Sequence, residues 1–149
     1  MRDDEILDVL RNDVLAALGA PEHLGVARIV LSVGGADFLE RDIEGQLPAV
    51  AVTEVDLERT ENVGISQKRF KGRVGYEVAV AAACEGDGTV SGRDEVRKVL
   101  GLINKLLDFR KNPFNFRFAF VGFSIVPHPQ QSAVVGVARF ETSAYFGNE

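Results

Sequence analysis

Apolar residues in this chain fall into two helical stripes and a series of strand-like runs. In residues 91–109, Val96, Val99, Leu100, Ile103, Leu106 and Leu107 recur at the spacing that gathers side chains on one face of a helix, and charge occupies the other face. Ser91, followed by Asp94 and Glu95, reads as an N-cap with acids in the first turn, where backbone N–H groups are unpaired. Arg110 and Lys111 suit the far end, and Pro113 forbids continuation. Gly101 costs about 1 kcal/mol against alanine in a helix interior; either another backbone comes close there or the glycine is tolerated. A shorter helix opens on Asp3, Asp4 and Glu5, carries Ile6, Leu10, Val14, Ala17 and Leu18 on its stripe, and stops at Gly19 and Pro21.

Branched residues predict strands over 27–33, 49–57 and 74–84, before the long helix, and over 116–126 and 133–146 after it. The expected fold is α+β, one domain spanning 1–149, with a mainly antiparallel five-stranded sheet and two helices in the order α-β-β-β-α-β-β. The last two strands form a hairpin around 127–132. A symmetric turn sets Gly136 opposite Phe123 and puts Val121, Phe123 and Ile125 on one apolar face with Val134, Gly136, Ala138 and Phe140. The other face carries Phe116, Phe118 and Phe120 beside Val135, Val137, Arg139 and Glu141, apolar at one end and charged at the other. A one-sided antiparallel sheet is polar on its outer face. Phe116, Phe118, Phe120, Val135 and Val137 are therefore candidates for a subunit interface, the alternative being that the first helix or a loop covers them within one subunit.

Residues 59–73, RTENVGISQKRFKGR, read as a fifteen-residue loop, too polar for core and long for a hairpin connection. Ile65, Lys68, Arg69, Phe70, Lys71 and Arg73 make it a candidate contact for phosphate or an acidic partner, against the alternative of a solvated hairpin arm.

Composition narrows the function classes. A chain of 149 residues holds one core without staples. Its lone Cys84, in the run VAVAAAC, reads as a buried structural thiol. The N-terminus lacks the features of a signal peptide and no apolar run approaches the roughly 20 residues of a membrane span, so the expectation is a soluble cytoplasmic protein. A net charge of −5 argues against a dedicated nucleic-acid binder. Gly34 and Gly35 follow a strand but no Lys-Ser/Thr comes after them, so the phosphate-loop reading fails. Glu85, Gly86, Asp87 and Gly88 lack the further carboxylates of a calcium loop, and His23 and His128 stand isolated near prolines. No catalytic, cofactor or metal site is read.

The element order, with the segments EILDVLRNDVLAAL, LPAVAVTEV, RVGYEVAVAAAC, VRKVLGLINKLLDF and VVGVARFETSAYF, resembles the tail terminator and tail completion proteins of tailed bacteriophages, of the Mu and lambda types. The resemblance covers nearly the whole chain and rests on apolar positions. It implies a structural, non-enzymatic virion protein without cofactor or membrane contact, assembled in the host cytoplasm. Such proteins associate with copies of themselves in rings, usually hexameric, that cap the tail tube, stop its polymerisation and join it to the neck and connector. The 59–73 loop would then meet the tube or an adjacent ring, with DNA in the lumen as a transient neighbour. Two other readings stay open: another phage neck or baseplate assembly protein, and a small-molecule-binding α+β domain using a cleft between sheet and helices.

Overall fold

The computed structural model describes residues 1–19, 24, 28–31, 48–64, 68–83, 89–128 and 133–147. His23, Gly34, Gly35, Ile65, Cys84 and residues 85–88 lie outside the described residues. Helix α1 (Asp3–Leu18) buries the five stripe residues expected of it, and Gly19, at φ 72°, ends it with its N–H donating to the Leu15 carbonyl. Helix α2 (Thr89–Leu107) starts two residues before Ser91, which therefore lies inside the first turn rather than at the cap. Val96, Val99, Leu100, Ile103 and Leu107 are buried while Leu106 is 39% exposed. At 100° per residue Leu106 sits about 80° from the centre of that stripe, on its margin.

The strands are β1 (Arg28–Leu31), β2 (Ala49–Asn62), β3 (Phe70–Ala83), β4 (Ala119–His128) and β5 (Ala133–Phe146). The expected five-stranded, mainly antiparallel sheet is corrected here. The antiparallel sheet has four strands, side by side in the order β2-β3-β5-β4, so with the helices the body reads α-β-β-α-β-β along the chain. The run 27–33 contributes only the four residues of β1, laid parallel along Ala49, Val50, Ala51 and Val52 at the edge of β2. Parallel pairing needs a crossover rather than a hairpin, and β2 becomes exposed and bulged from Glu54 onward. Conversely, most of the expected loop 59–73 is strand, since β2 runs on to Asn62 and β3 begins at Phe70.

Both helices pack on one face of the sheet, where Val50, Val52, Val74, Tyr76, Val78, Val80, Ala138 and Phe140 join the helical stripes in a single core cluster. On β5, Gly136 is opposite Ile125, not Phe123, and a Cβ there would collide with Val96 and Leu100. The glycine makes room for α2 rather than for a ring across the hairpin.

Between α2 and β4 the chain turns around Asn112, which is 4% exposed. Its Nδ2 donates to Thr142 Oγ1 (2.7 Å) and to the Ser143 carbonyl (2.8 Å), and its Oδ1 accepts from the N–H groups of Phe114 (2.8 Å) and Phe116 (3.3 Å). The full bonding capacity of the amide is used. Thr142, also buried, donates a hydrogen bond from its hydroxyl to the Arg117 carbonyl (3.2 Å).

Asn112→Ala is expected to cost about 2–4 kcal/mol, because it strands buried donors and acceptors, and Gly136→Ala about 1–3 kcal/mol through overpacking. Lys98→Ala, on the exposed face of α2, should stay within about 0.5 kcal/mol. Urea unfolding midpoints check all three, and an unchanged midpoint for Asn112→Ala would refute its role in the turn.

Candidate interaction surfaces

Past the end of β1, β2 and β3 continue as an arm whose outer strand, from Glu54 to Asn62, is exposed. Its aromatic anchor is Phe70, half-buried and stacked on Phe146 with ring centroids 5.6 Å apart, while the Arg59 guanidinium lies 4.4 Å above the Phe70 ring. Gly147, at φ 82°, follows Phe146; its N–H donates to Asp3 Oδ1 (2.8 Å), tying the end of β5 to the start of α1. On the opposite sheet face Lys71 Nζ is 5.1 Å from the Phe116 ring, Phe116 meets Tyr145 edge-on at 5.4 Å, and Arg69 is 6.0 Å from Tyr145. Arg73 pairs with Glu58 and with Glu141 (3.5 Å). The expected basic cluster is thus distributed: Arg69 and Lys71 lie over aromatic rings, Arg73 joins carboxylates, and Lys68 is exposed near the tip.

Arg73 and Arg139 belong to one line of charge across the sheet, with Arg139 reaching Asp56 (3.0 Å) and Glu141 (3.4 Å). The hydrogen bond to Glu58 raises the Arg73 pKa; for Arg139 burial pulls downward, and the bonds to Asp56 and Glu141 more than offset it.

The other expected group is not brought together. Phe118 is 1% exposed, inside the core of a single chain, and pairs by its backbone with Arg110. A bulge at Val121 shifts the β4–β5 register, so Phe120 pairs with Phe140 and turns to the helical face, its ring 5.6 Å from Phe140 and 6.4 Å from Phe123. Val135 is buried on the far face with Ala49, Ala51, Ala79 and Ala81, and Val137 packs partly buried against them.

Two concavities were not legible beforehand. One, about 190 Å³, runs between α2 and β4: Leu100, Gly101, Asn104 and Arg97 form the helical wall, and Phe120, Phe123 and Ala138 the sheet wall. Its one sequence signal is a strand, AFVGFSIVPH, with exposed aromatics and no Lys, Arg, Asp or Glu. The second, about 290 Å³, separates α1 from β2 and is lined by Asp4, Leu7, Asp8, Arg11, Thr53 and Glu54. Glu54 is exposed as a residue, but its partial desolvation against α1 pushes its carboxyl above its ordinary value, with Arg11 opposing and Asp8 assisting. Burial likewise pushes the Tyr76 phenol upward. Among the described residues no group of three or more His, Cys, Asp or Glu could hold a metal ion, and no helix is long and apolar enough to cross a membrane.

No protein-family model and no curated protein matches the chain. Among solved structures it is similar to a chain from the virion of a native gene transfer agent particle, at a TM-score of 0.60 and 10% identity, with 92% of this chain and 95% of that chain covered. At that identity the likeness establishes a shared fold over nearly the full length of both chains.

Glu54 supplies a pH test. Its folded-state pKa lies above the unfolded value, so its contribution favours folding below the ordinary carboxyl value of 4.5 and is lost as pH rises through the folded value. Glu54→Gln should therefore melt above the wild type at neutral pH, with the gap closing in acid. A lower melting temperature at neutral pH would contradict this.

Proposed function

We propose that this chain is a structural protein of a phage-like virion, forming a ring that caps and terminates the tail tube and joins it to the neck. The observation that carries the reading is the near full-length fold likeness to a gene transfer agent virion chain. The same reading accounts for an edge strand with Phe120, Val121 and Phe123 exposed and no charged side chain along it, since such an edge is a pairing hazard unless another chain covers it. The role requires no chemistry. Copies of the chain, tube subunits and neck proteins are its partners, and the tip of the β2–β3 arm faces the tube. Arg69, Lys71 and Arg73 are already engaged by aromatic rings and carboxylates, which favours a protein partner there over DNA.

Size-exclusion chromatography with light scattering tests the ring: a mass near six times the 16.2 kDa of one chain is expected, and a monomer at every concentration overturns it. Charge reversal of Arg69 and Lys71 to Glu should cost about 1–2 kcal/mol, because two cation–π contacts, one exposed and one half-buried, are lost. It should also weaken capping of tail tubes in a salt-dependent way. Tube length distributions in electron micrographs, unchanged by the double variant at low and high salt, would remove the arm from the tube contact.

A further inference from the structure

The sheet has two open edges on opposite sides. β1 covers β2 only from Ala49 to Val52, leaving the distal half of β2 exposed, and among the described residues no strand pairs with the outer side of β4. The two edges differ in chemistry. Distal β2 carries Val55 and Leu57, each 39% exposed, among Glu54, Asp56, Glu58 and Glu61, of which Asp56 and Glu58 already pair with Arg139 and Arg73. Val55 sits at a bulge, outside the pairing with β3.

The groove beside β4 is its complement. Phe120 and Phe123 are exposed along it, and large aromatics in a partly enclosed pocket are the side chains that anchor interfaces. Among the described residues Arg97, the groove's cation, is held by a 3.9 Å pair with Asp94. Asn104 Oδ1 is buried without a hydrogen-bond partner among the described residues. Gly101 is exposed on α2 with nothing within 4 Å of where its Cβ would stand, so among the described residues no contact explains a glycine at that helical position. A bare helix surface, an unused acceptor and an apolar wall are what an incoming strand with an open backbone edge and aliphatic side chains requires.

We propose that the groove between α2 and β4 receives the distal half of β2 from a second copy of this chain, so that the sheet continues head to tail from subunit to subunit. Val55 and Leu57 enter against Phe120 and Phe123. Because the two surfaces are different patches, the contact is heterologous, and repeating it closes a ring where the rotation allows. The inference rests on the ring reading above and assigns its subunit contact.

Two variants at exposed positions each disable one side: Gly101→Trp plugs the groove, and Val55→Lys places a cation on the inserting strand. Each alone should elute as a monomer with a wild-type circular dichroism spectrum. An equimolar mixture retains one intact surface of each kind and should give a 1:1 dimer and nothing larger, by light scattering. As a check independent of these substitutions, a Val55→Cys chain and a Phe123→Cys chain, both in a Cys84→Ser background, should oxidise to a mixed covalent dimer in preference to either homodimer. Wild type in ring form with Gly101→Trp still in ring form would overturn the contact and leave the ring reading intact. Homodimers of either single variant would replace it with an isologous contact. A wild type that is monomeric throughout would overturn both.

Discussion

Asn112 decides how α2 is joined to β4. The helix ends at Leu107, Phe109 takes a left-handed conformation at φ 64°, and the chain doubles back so that residues 109–112 pair with 116–118. Such a turn exposes backbone groups that must be matched, and here a single buried amide matches two of them, the N–H groups of Phe114 and Phe116, while its own donors reach across to β5. Since the low-dielectric interior strengthens a satisfied network and penalises a broken one, the turn has one well-defined geometry. The spacing between α2 and β4, and with it the groove they enclose, follows from that geometry. Gly136 sets the same spacing from the other side, by letting the helix settle against β5.

The two faces of the sheet divide the work. The helical face is a continuous core from Val80 to Phe146. The other passes from a patch of small residues, Ala49, Ala51, Ala79, Ala81 and Val135, to a line of charge running from Asp56 through Arg139 and Glu141 to Arg73 and Glu58. These ion pairs are partly exposed and each contributes modestly to stability; their effect is to keep carboxylates and guanidinium groups in register across three strands.

How much of this was legible depended on whether a feature is local. Both helical stripes could be read because periodicity within one element decides them, and Leu106 strayed only because it lies on the margin. The hairpin of β4 and β5 was legible too, but its register was read two residues out: Phe123 pairs with Ala138 rather than Gly136, which preserves the faces. The bulge at Val121 does not preserve them, and it carried Phe120 to the opposite side from the one expected. Phe116 and Phe118 precede the strand altogether, so alternation had no authority over them. The arm was misread as a loop because β2 is solvated along its distal half, and only its pairing with β3 shows it to be strand. Asn112, within the mixed run KNPFNF, gives no local sign that it is buried, and the groove exists only once α2 and β4 lie side by side.

The pairing of β3 with β5 is unbroken from Phe70–Phe146 to Ala83–Ala133, fourteen residues in each strand, or about 46 Å at a rise near 3.3 Å per residue. At the arm end this ladder is fastened by the Phe70–Phe146 stack and by the bond from Gly147 to Asp3. A pull applied at the tip along the strand direction therefore loads the whole ladder in shear, with all its rungs sharing the force, instead of unzipping them one at a time. Tension on the arm is thus shared by β3 and β5 along their full length and meets α1 at the bond from Gly147 to Asp3.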